Sequence, residues 1–336
     1  MNRWTQNMSL LRLAAVVALL TIAGCKDDET PCLQCPPPDT TPSPTIENIW
    51  PNADKMTWTF DYTSEETLPN IPSRLYPTPD DIPAFSWDDV REVLASDTLS
   101  GSTDTTEATY TMRFDSLLTT GSGAVGQNLE VDIDVLTAGA AGVYRANHAS
   151  AFYARLYAAR PDLRDAVLDA YAGAGYDARQ LTEPFGVVYS PLLIHGGAWE
   201  KTEDWIGTYG DVDQILAWKF LSSDLSVGSE FTHQLVPSLA SDVFLHCRIE
   251  RLTTWQSDIG QHKKSLDCLY IIDYGLWVET NNEGKILGYG RIFDCGRVVY
   301  SPTEGPVYMY ERDFVEPGDP PTPGVRYTEL EITGTN

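Results

Sequence analysis

The chain has 336 residues, of which 42% are hydrophobic and 11% aromatic, enough to bury one large core or two small ones. Its 48 acidic residues against 23 Lys and Arg give a formal net charge of −25. That balance repels phosphate backbones and anionic lipid surfaces, so it excludes nucleic acid as a partner and describes a well-solvated acidic surface.

The first element is a targeting segment. Arg3 and Arg12 precede an apolar stretch from Leu13 to Leu20, followed by Thr21-Ile22-Ala23-Gly24-Cys25. A basic start, an apolar run too short to span a bilayer stably and small residues before a cut are the marks of a secretory signal. Its ending, Ala23-Gly24-Cys25, resembles the lipobox of bacterial lipoproteins. The resemblance implies that residues 1–24 are removed as a signal peptide and that Cys25 becomes the lipid-bearing first residue, with the membrane as partner through that lipid. Lys26-Asp27-Asp28-Glu29 then resembles the Lys-acid-acid export signal of some Bacteroidota lipoproteins, which implies a place on the outer membrane, exposed at the cell surface. Residues 25–45 read as an acidic, Pro-rich tether, because stacked prolines favour an extended polyproline II chain. Within it Cys32 and Cys35 have redox or metal-site spacing. With no helix start to lower a thiol pKa and no second Cys pair nearby, a small disulfide loop is expected.

A single β-rich domain is expected over 46–336. Period-two alternation predicts strands at Thr57–Tyr62, Thr109–Phe114, Glu130–Val135 and Val243–Glu250, with longer β segments at 266–278 and 286–300. On the fourth strand Val243, Leu245, Cys247 and Ile249 share one face, opposite Phe244, His246, Arg248 and Glu250. Ser86-Trp87-Asp88-Asp89 opens a short helix through Ala95 with acids in its first turn. His148 to Ala159 reads as a helix, and Pro161 starts another that carries the stripe Leu163, Val167, Leu168 and Tyr171. These two form a helical insertion at about 140–180. The fold class is therefore α+β, a curved and mainly antiparallel sheet, with a half-barrel as one form of it, and a helical insertion in the first half. Val187-Val188-Tyr189-Ser190-Pro191 recurs as Val298-Val299-Tyr300-Ser301-Pro302, an echo consistent with equivalent strand ends.

Several constellations invite a chemical reading. His195-Gly196-Gly197-Ala198-Trp199 resembles the His-Gly-Gly oxyanion motif of lipases and esterases, but no Gly-x-Ser-x-Gly nucleophile elbow follows it, so a Gly-Gly turn is expected there. A turn centred on Ser257-Asp258 places Cys247 opposite Cys268, and one centred on Asn281-Asn282 places Cys268 opposite Cys295. The expected outcome is a Cys268–Cys295 disulfide with Cys247 a buried thiol, because His246 points away from any zinc site that the three could form. The paired acids Asp80-Asp81, Asp88-Asp89 and Asp211-Val212-Asp213 are expected as turn and cap residues, and His148, His195, His233, His246 and His262 show no ligand spacing on a common helix. Trp50, Trp58, Trp199, Trp205, Trp218, Trp255 and Trp277 suit either a binding groove or, more commonly, the core. No catalytic residue, cofactor or metal is assigned.

The run Ile49-Trp50-Pro51 to Trp58-Thr59-Phe60-Asp61-Tyr62 resembles the opening strand of many uncharacterised β-rich bacterial lipoproteins. The closing Gly296-Arg297-Val298-Val299-Tyr300-Ser301-Pro302-Thr303-Glu304-Gly305-Pro306-Val307 resembles their terminal segment. The resemblance implies a curved antiparallel sheet and supplies no catalytic residues. The expected function is a non-enzymatic, lipid-anchored envelope protein for binding or assembly, with a partner protein or apolar ligand left open. A half-barrel carrier of a lipid or apolar ligand and an extracellular serine hydrolase are the alternatives.

Overall fold

Period-two alternation is the dominant local signal, and it produces strands. The computed structural model describes residues 39–50, 56–67, 75–96, 105–119, 125–135, 142–145, 197–201, 205–208, 219–234, 242–281, 283–315 and 324–336, together with Leu163, Ala166, Asp169, Ala172 and Gly173. The sheet lies in the compact unit Thr41–Asn336. Lys264 donates to the Thr41 carbonyl, so this unit takes in residues just upstream of the expected domain start at 46.

The strands are β1 (Thr57–Thr67), β2 (Thr105–Thr119), β3 (Val125–Val135), β4 (Gly142–Arg145), β5 (Gly197–Lys201), β6 (Trp205–Thr208), β7 (Lys219–Ser222), β8 (Glu230–Gln234), β9 (Phe244–Ser257), β10 (Gly260–Thr280), β11 (Ile286–Ser301), β12 (Gly305–Val315) and β13 (Gly324–Thr335). They form one sheet in the order β7-β6-β5-β3-β2-β1-β13-β12-β11-β10-β9-β8, with β4 paired to β3 beside this path. Apart from β4, this is the chain order cut between β7 and β8 and rejoined where β1 meets β13. Every strand pairing among the described residues is antiparallel. No pairing joins β7 to β8 among the described residues, so the sheet is open. The two chain ends of the ladder meet in its middle: Thr57 N–H donates to the Asn336 carbonyl at 3.2 Å, and Asn336 N–H returns a bond to the Thr57 carbonyl at 3.1 Å.

Alternation assigns the faces. On β1, Trp58, Phe60 and Tyr62 lie opposite Met112, Tyr110 and Ala108 of β2, and all six are buried. Tyr62 also faces Leu330 of β13, and the row continues through Met309, Val298, Cys268 and Ile249 across β12 to β9, each of them buried. The rings pack edge to face where Phe60 meets Tyr110 (6.3 Å) and stack where Tyr62 meets Tyr110 (6.5 Å). Each such side chain, fully removed from water, contributes roughly 1.5–3 kcal/mol before entropy.

Helices are few. α1 (Ile46–Ile49) is held at its start by Asn48, whose Oδ1 accepts from Thr45 N–H at 2.8 Å. A 3-10 turn at Pro79–Asp81 is closed by Asp81, which accepts from Thr78 N–H and Oγ1, so the second acid of that pair is a cap, as expected. α2 (Trp87–Ser96) matches the helix read from Ser86 onward, with Ser86 Oγ accepting from Asp88 N–H at 3.2 Å. α2 packs Val90 onto Ile271 and Cys295 on the sheet face opposite the aromatic row, with Phe85, Trp87, Val93, Leu94 and Phe293 around them. The bidentate pair between Arg91 and Glu250, at 2.7 and 2.8 Å, ties the helix to β9. Leu163, Ala166, Asp169, Ala172 and Gly173 are helical, and the remainder of the expected insertion, β4 apart, lies outside the described residues. No helix among the described residues is long and apolar enough to cross a membrane.

Candidate functional site

Two neighbouring hairpins bring together the polar groups of greatest chemical interest. The β9–β10 turn is Asp258-Ile259, and the ladder pairs Ser257 with Gly260 and Trp255 with His262. Ser257 and His262 therefore stand on one face, diagonal to each other across the turn. Gly260 adopts φ +143°, which a side chain disfavours, and Gln256 Nε2 braces the turn by donating to the carbonyls of Ser257 (3.1 Å) and Gly260 (3.2 Å). Just beyond, a register shift between His262 and Ser265 puts Lys264 at φ 54°, and Ser265 Oγ bonds the His262 carbonyl at 2.9 Å.

The second hairpin supplies the acid. β11 ends at Ser301, Pro302-Thr303-Glu304 turns, and Gly305 opens β12 with φ +85°. Ser257 Oγ lies 2.7 Å from His262 Nε2, and His262 Nδ1 lies 3.0 Å from Glu304 Oε2. That same carboxylate oxygen accepts from Ser301 Oγ and Thr303 Oγ1. The Glu304 backbone carbonyl accepts from Trp58 Nε1, which links the turn to the core aromatic row. The hydrogen bonds from His262, Ser301 and Thr303 hold the Glu304 carboxyl well below its usual range, at about 2. An ionised carboxylate only accepts, so a neutral His262 carries its proton on Nδ1 and turns the Nε2 lone pair to the Ser257 hydroxyl. Ser257 is 6% exposed and His262 4%.

An aromatic and ionic cluster lies beside this relay. Trp255 packs on Tyr308 with ring centres 4.3 Å apart, and the Arg297 guanidinium sits 5.6 Å from the Trp255 ring. Arg297 grips the buried Asp267 through two bonds of 2.6 Å, and Arg251 adds a third at 2.8 Å. Two cations around one buried carboxylate offset its desolvation.

The remaining candidates separate. Cys25, Cys32, Cys35, His148, His195, Gly196, Asp211, Asp213, Trp218 and the first copy of the Val-Val-Tyr-Ser-Pro echo lie outside the described residues. Gly197 starts β5 and pairs with Leu129 of β3. Trp50 and Trp58 are core residues stacked at 6.3 Å. His246 is on the face opposite Cys247, as expected; it bonds Thr232 Oγ1 at 3.0 Å, stacks on Phe85, and burial pushes its pKa down. Among the described residues no group of three or more His, Cys, Asp or Glu could hold a metal. An open cleft of about 560 Å³ lies between Pro44–Glu47 and Ser223–Ser226, where Asp224 is engaged by Ser226 N–H and Ser229 Oγ.

The cysteine pairing requires correction. No disulfide joins Cys247, Cys268 and Cys295; all three are buried thiols. The β10–β11 loop spans Asn281–Lys285 and centres on Glu283, with Asn281 Oδ1 accepting from Glu283 and Lys285 N–H. Cys268 therefore pairs with Val298, and Cys295 with Ile271. The displacement is an odd number of residues, so it turns Cys295 toward α2 while Cys268 faces the opposite side. On β9 the turn falls one residue later than expected, which preserves the face but sets Cys247 beside Tyr270 and Cys268 beside Ile249. Burial first, then the neighbouring Cys247 thiol, push the Cys268 thiol well up.

Ser257, His262 and Glu304 were not anticipated as a group. A helical spacing was the wrong template for the histidines; the usable signal was Ser and His five apart around a tight turn closed by Gly260.

No protein-family model matches the chain, and no curated protein matches it. Among solved structures it is similar to a presumed lipoprotein from Parabacteroides distasonis ATCC 8503, determined at 2.70 Å. The identity is 11% over 85% of this chain and 98% of that one, with a TM-score of 0.29. A likeness that distant establishes neither fold nor function.

Proposed function

We propose that this chain is a lipid-anchored protein of the bacterial outer membrane that presents a β-sheet domain for binding or assembly at the cell surface. The run Leu20-Thr21-Ile22-Ala23-Gly24-Cys25 carries the reading, because it joins a short apolar segment to small residues and a thiol that can take lipid. The Lys26–Glu29 run and the prolines that follow suit a spacer between that anchor and the folded unit. One sheet face is occupied by the protein's own buried side chains, Trp58, Phe60, Tyr62, Tyr110, Met309 and Leu330 among them, which favours contact at the outer surface over carriage of an apolar ligand inside.

Radiolabelled palmitate fed to cells expressing the full chain is expected to enter the protein and to be lost in Cys25→Ala. Inhibition of the lipoprotein signal peptidase is expected to leave the uncut precursor. A mature N terminus at any residue other than Cys25 overturns the reading.

A further inference from the structure

The arrangement of Ser257, His262 and Glu304 offers chemistry that anchoring and display do not require. We propose that it is a nucleophilic relay in which Ser257 takes an acyl group from a small carboxylic ester. The atoms stand in the necessary order: hydroxyl against Nε2 at 2.7 Å, and carboxylate against Nδ1 at 3.0 Å. This is the arrangement of Ser-His-acid hydrolases on unrelated folds, recognised by geometry and not by position in the chain. Glu304 is fixed from three sides, by His262, Ser301 Oγ and Thr303 Oγ1, and so is pre-oriented. A donor–acceptor chain runs here from a hydroxyl through an imidazole to a carboxylate.

The position of Ser257 limits the substrate. It is the last residue of β9, directly before the exposed Asp258 and Ile259, the latter 39% exposed. The hydroxyl thus lies just beneath a surface turn, and approach is restricted to slim acyl groups. In the first step Ser257 Oγ bonds to the carbonyl carbon and its proton passes to His262 Nε2. The bond from carbon to the leaving alkoxide then breaks, and that oxygen takes the proton. Water attacks the acyl-serine by the same route, its proton passing to Nε2 and returning to Ser257 as the carboxylic acid departs. Glu304 stays ionised throughout and acts as a positioning residue that stabilises the imidazolium. The N–H of Asp258, the residue after the nucleophile, is the nearest donor along the chain for the oxyanion.

The test is to treat the folded full chain with a fluorophosphonate probe, map the adduct by mass spectrometry, and follow acetate release from p-nitrophenyl acetate. The expected result is an adduct on the peptide that contains Ser257, lost in Ser257→Ala. In Glu304→Gln, labelling and ester turnover are expected to fall by roughly 10⁴-fold, the order found when a triad carboxylate is replaced by its amide, with an altered pH profile. Circular dichroism checks whether each variant retains its sheet. No adduct at Ser257 in the folded wild type overturns the proposal, as does a labelling rate in His262→Gln and Glu304→Gln equal to that of the wild type. Mapping on the wild type decides the matter even where a variant fails to fold, and its outcome is independent of whether Cys25 carries lipid.

Discussion

At the scale of single residues, Glu304 is the most consequential side chain outside the apolar core. Its carboxyl titrates at about 2, against an ordinary 4.5, because His262, Ser301 and Thr303 all hydrogen-bond its ionised form. A depressed carboxylate stabilises the fold at pH values above its unfolded pKa, and that contribution drains away as pH falls from about 4.5 toward 2. At ~1.4 kcal/mol per unit the shift corresponds to about 3 kcal/mol at most, and solvent screening of the partly exposed carboxylate reduces the contribution at neutral pH to about 1–2 kcal/mol. Glu304→Gln is therefore expected to lower stability at pH 7 by about that much and to converge on the wild type only as pH falls to about 2. Urea denaturation at several pH values reads the gap; a gap independent of pH refutes the account. The cysteines teach a related lesson. Their burial was legible in the alternation of β9 and β10, but their pairing depended on a loop centre, and Glu283 at the middle of the Asn281–Lys285 loop turned Cys295 away from Cys268.

At the scale of elements, α2 tests whether packing or charge holds a helix to the sheet. Val90 is buried against Ile271 and Cys295, whereas Arg91 and Glu250 pair at a partly exposed margin where Arg248 also approaches Glu250 at 3.4 Å. Desolvating a carboxylate against that apolar patch costs several kcal/mol, while a half-exposed ion pair is worth about 1 kcal/mol or less. Val90→Asp is expected to release α2 and lower the urea midpoint sharply, and Arg91→Ala to change it little. The reverse ranking would show an electrostatically docked helix. Strands were legible where alternation is clean, as in Trp58, Phe60 and Tyr62 or Leu245 and Cys247, whereas β12 and β13, whose buried rows include Met309 and Leu330, were not read from the sequence. The relay was not, because Ser257 and His262 meet only once the β9–β10 turn is set, and Glu304 arrives from a different hairpin.

At the scale of the whole molecule, the cyclic strand order makes the C-terminal strand central. β13 lies between β1 and β12, so its loss would open two unpaired edges in the middle of the sheet. The natural break lies instead between β7 and β8, consecutive strands joined by residues 223–229 without a pairing between them. Deletion of 324–336 is expected to abolish cooperative unfolding, while a protease cut within 223–229 is expected to leave the fragments assembled on a sizing column. Survival of the truncated protein with an intact thermal transition would refute this reading of the topology. Chain termini are ordinarily the most dispensable part of a domain, and here pairing places the last strand in the ladder's centre.

Local sequence pattern alone specified the segments of β1, β2, β3, β9, β10 and β11, the acidic composition, the helix at Ser86–Ala95 and the N-terminal run that ends at Cys25. All of these are local, since alternation, caps and short apolar runs act over a few neighbouring residues. Tertiary packing set the closure of β1 on β13, the faces that Cys268 and Cys295 occupy, and the corner shared by Ser257, His262 and Glu304. Those outcomes rest on register between strands distant in the chain. Register is selected by the packing of the entire buried face, and a one-residue difference at a turn is enough to reverse it.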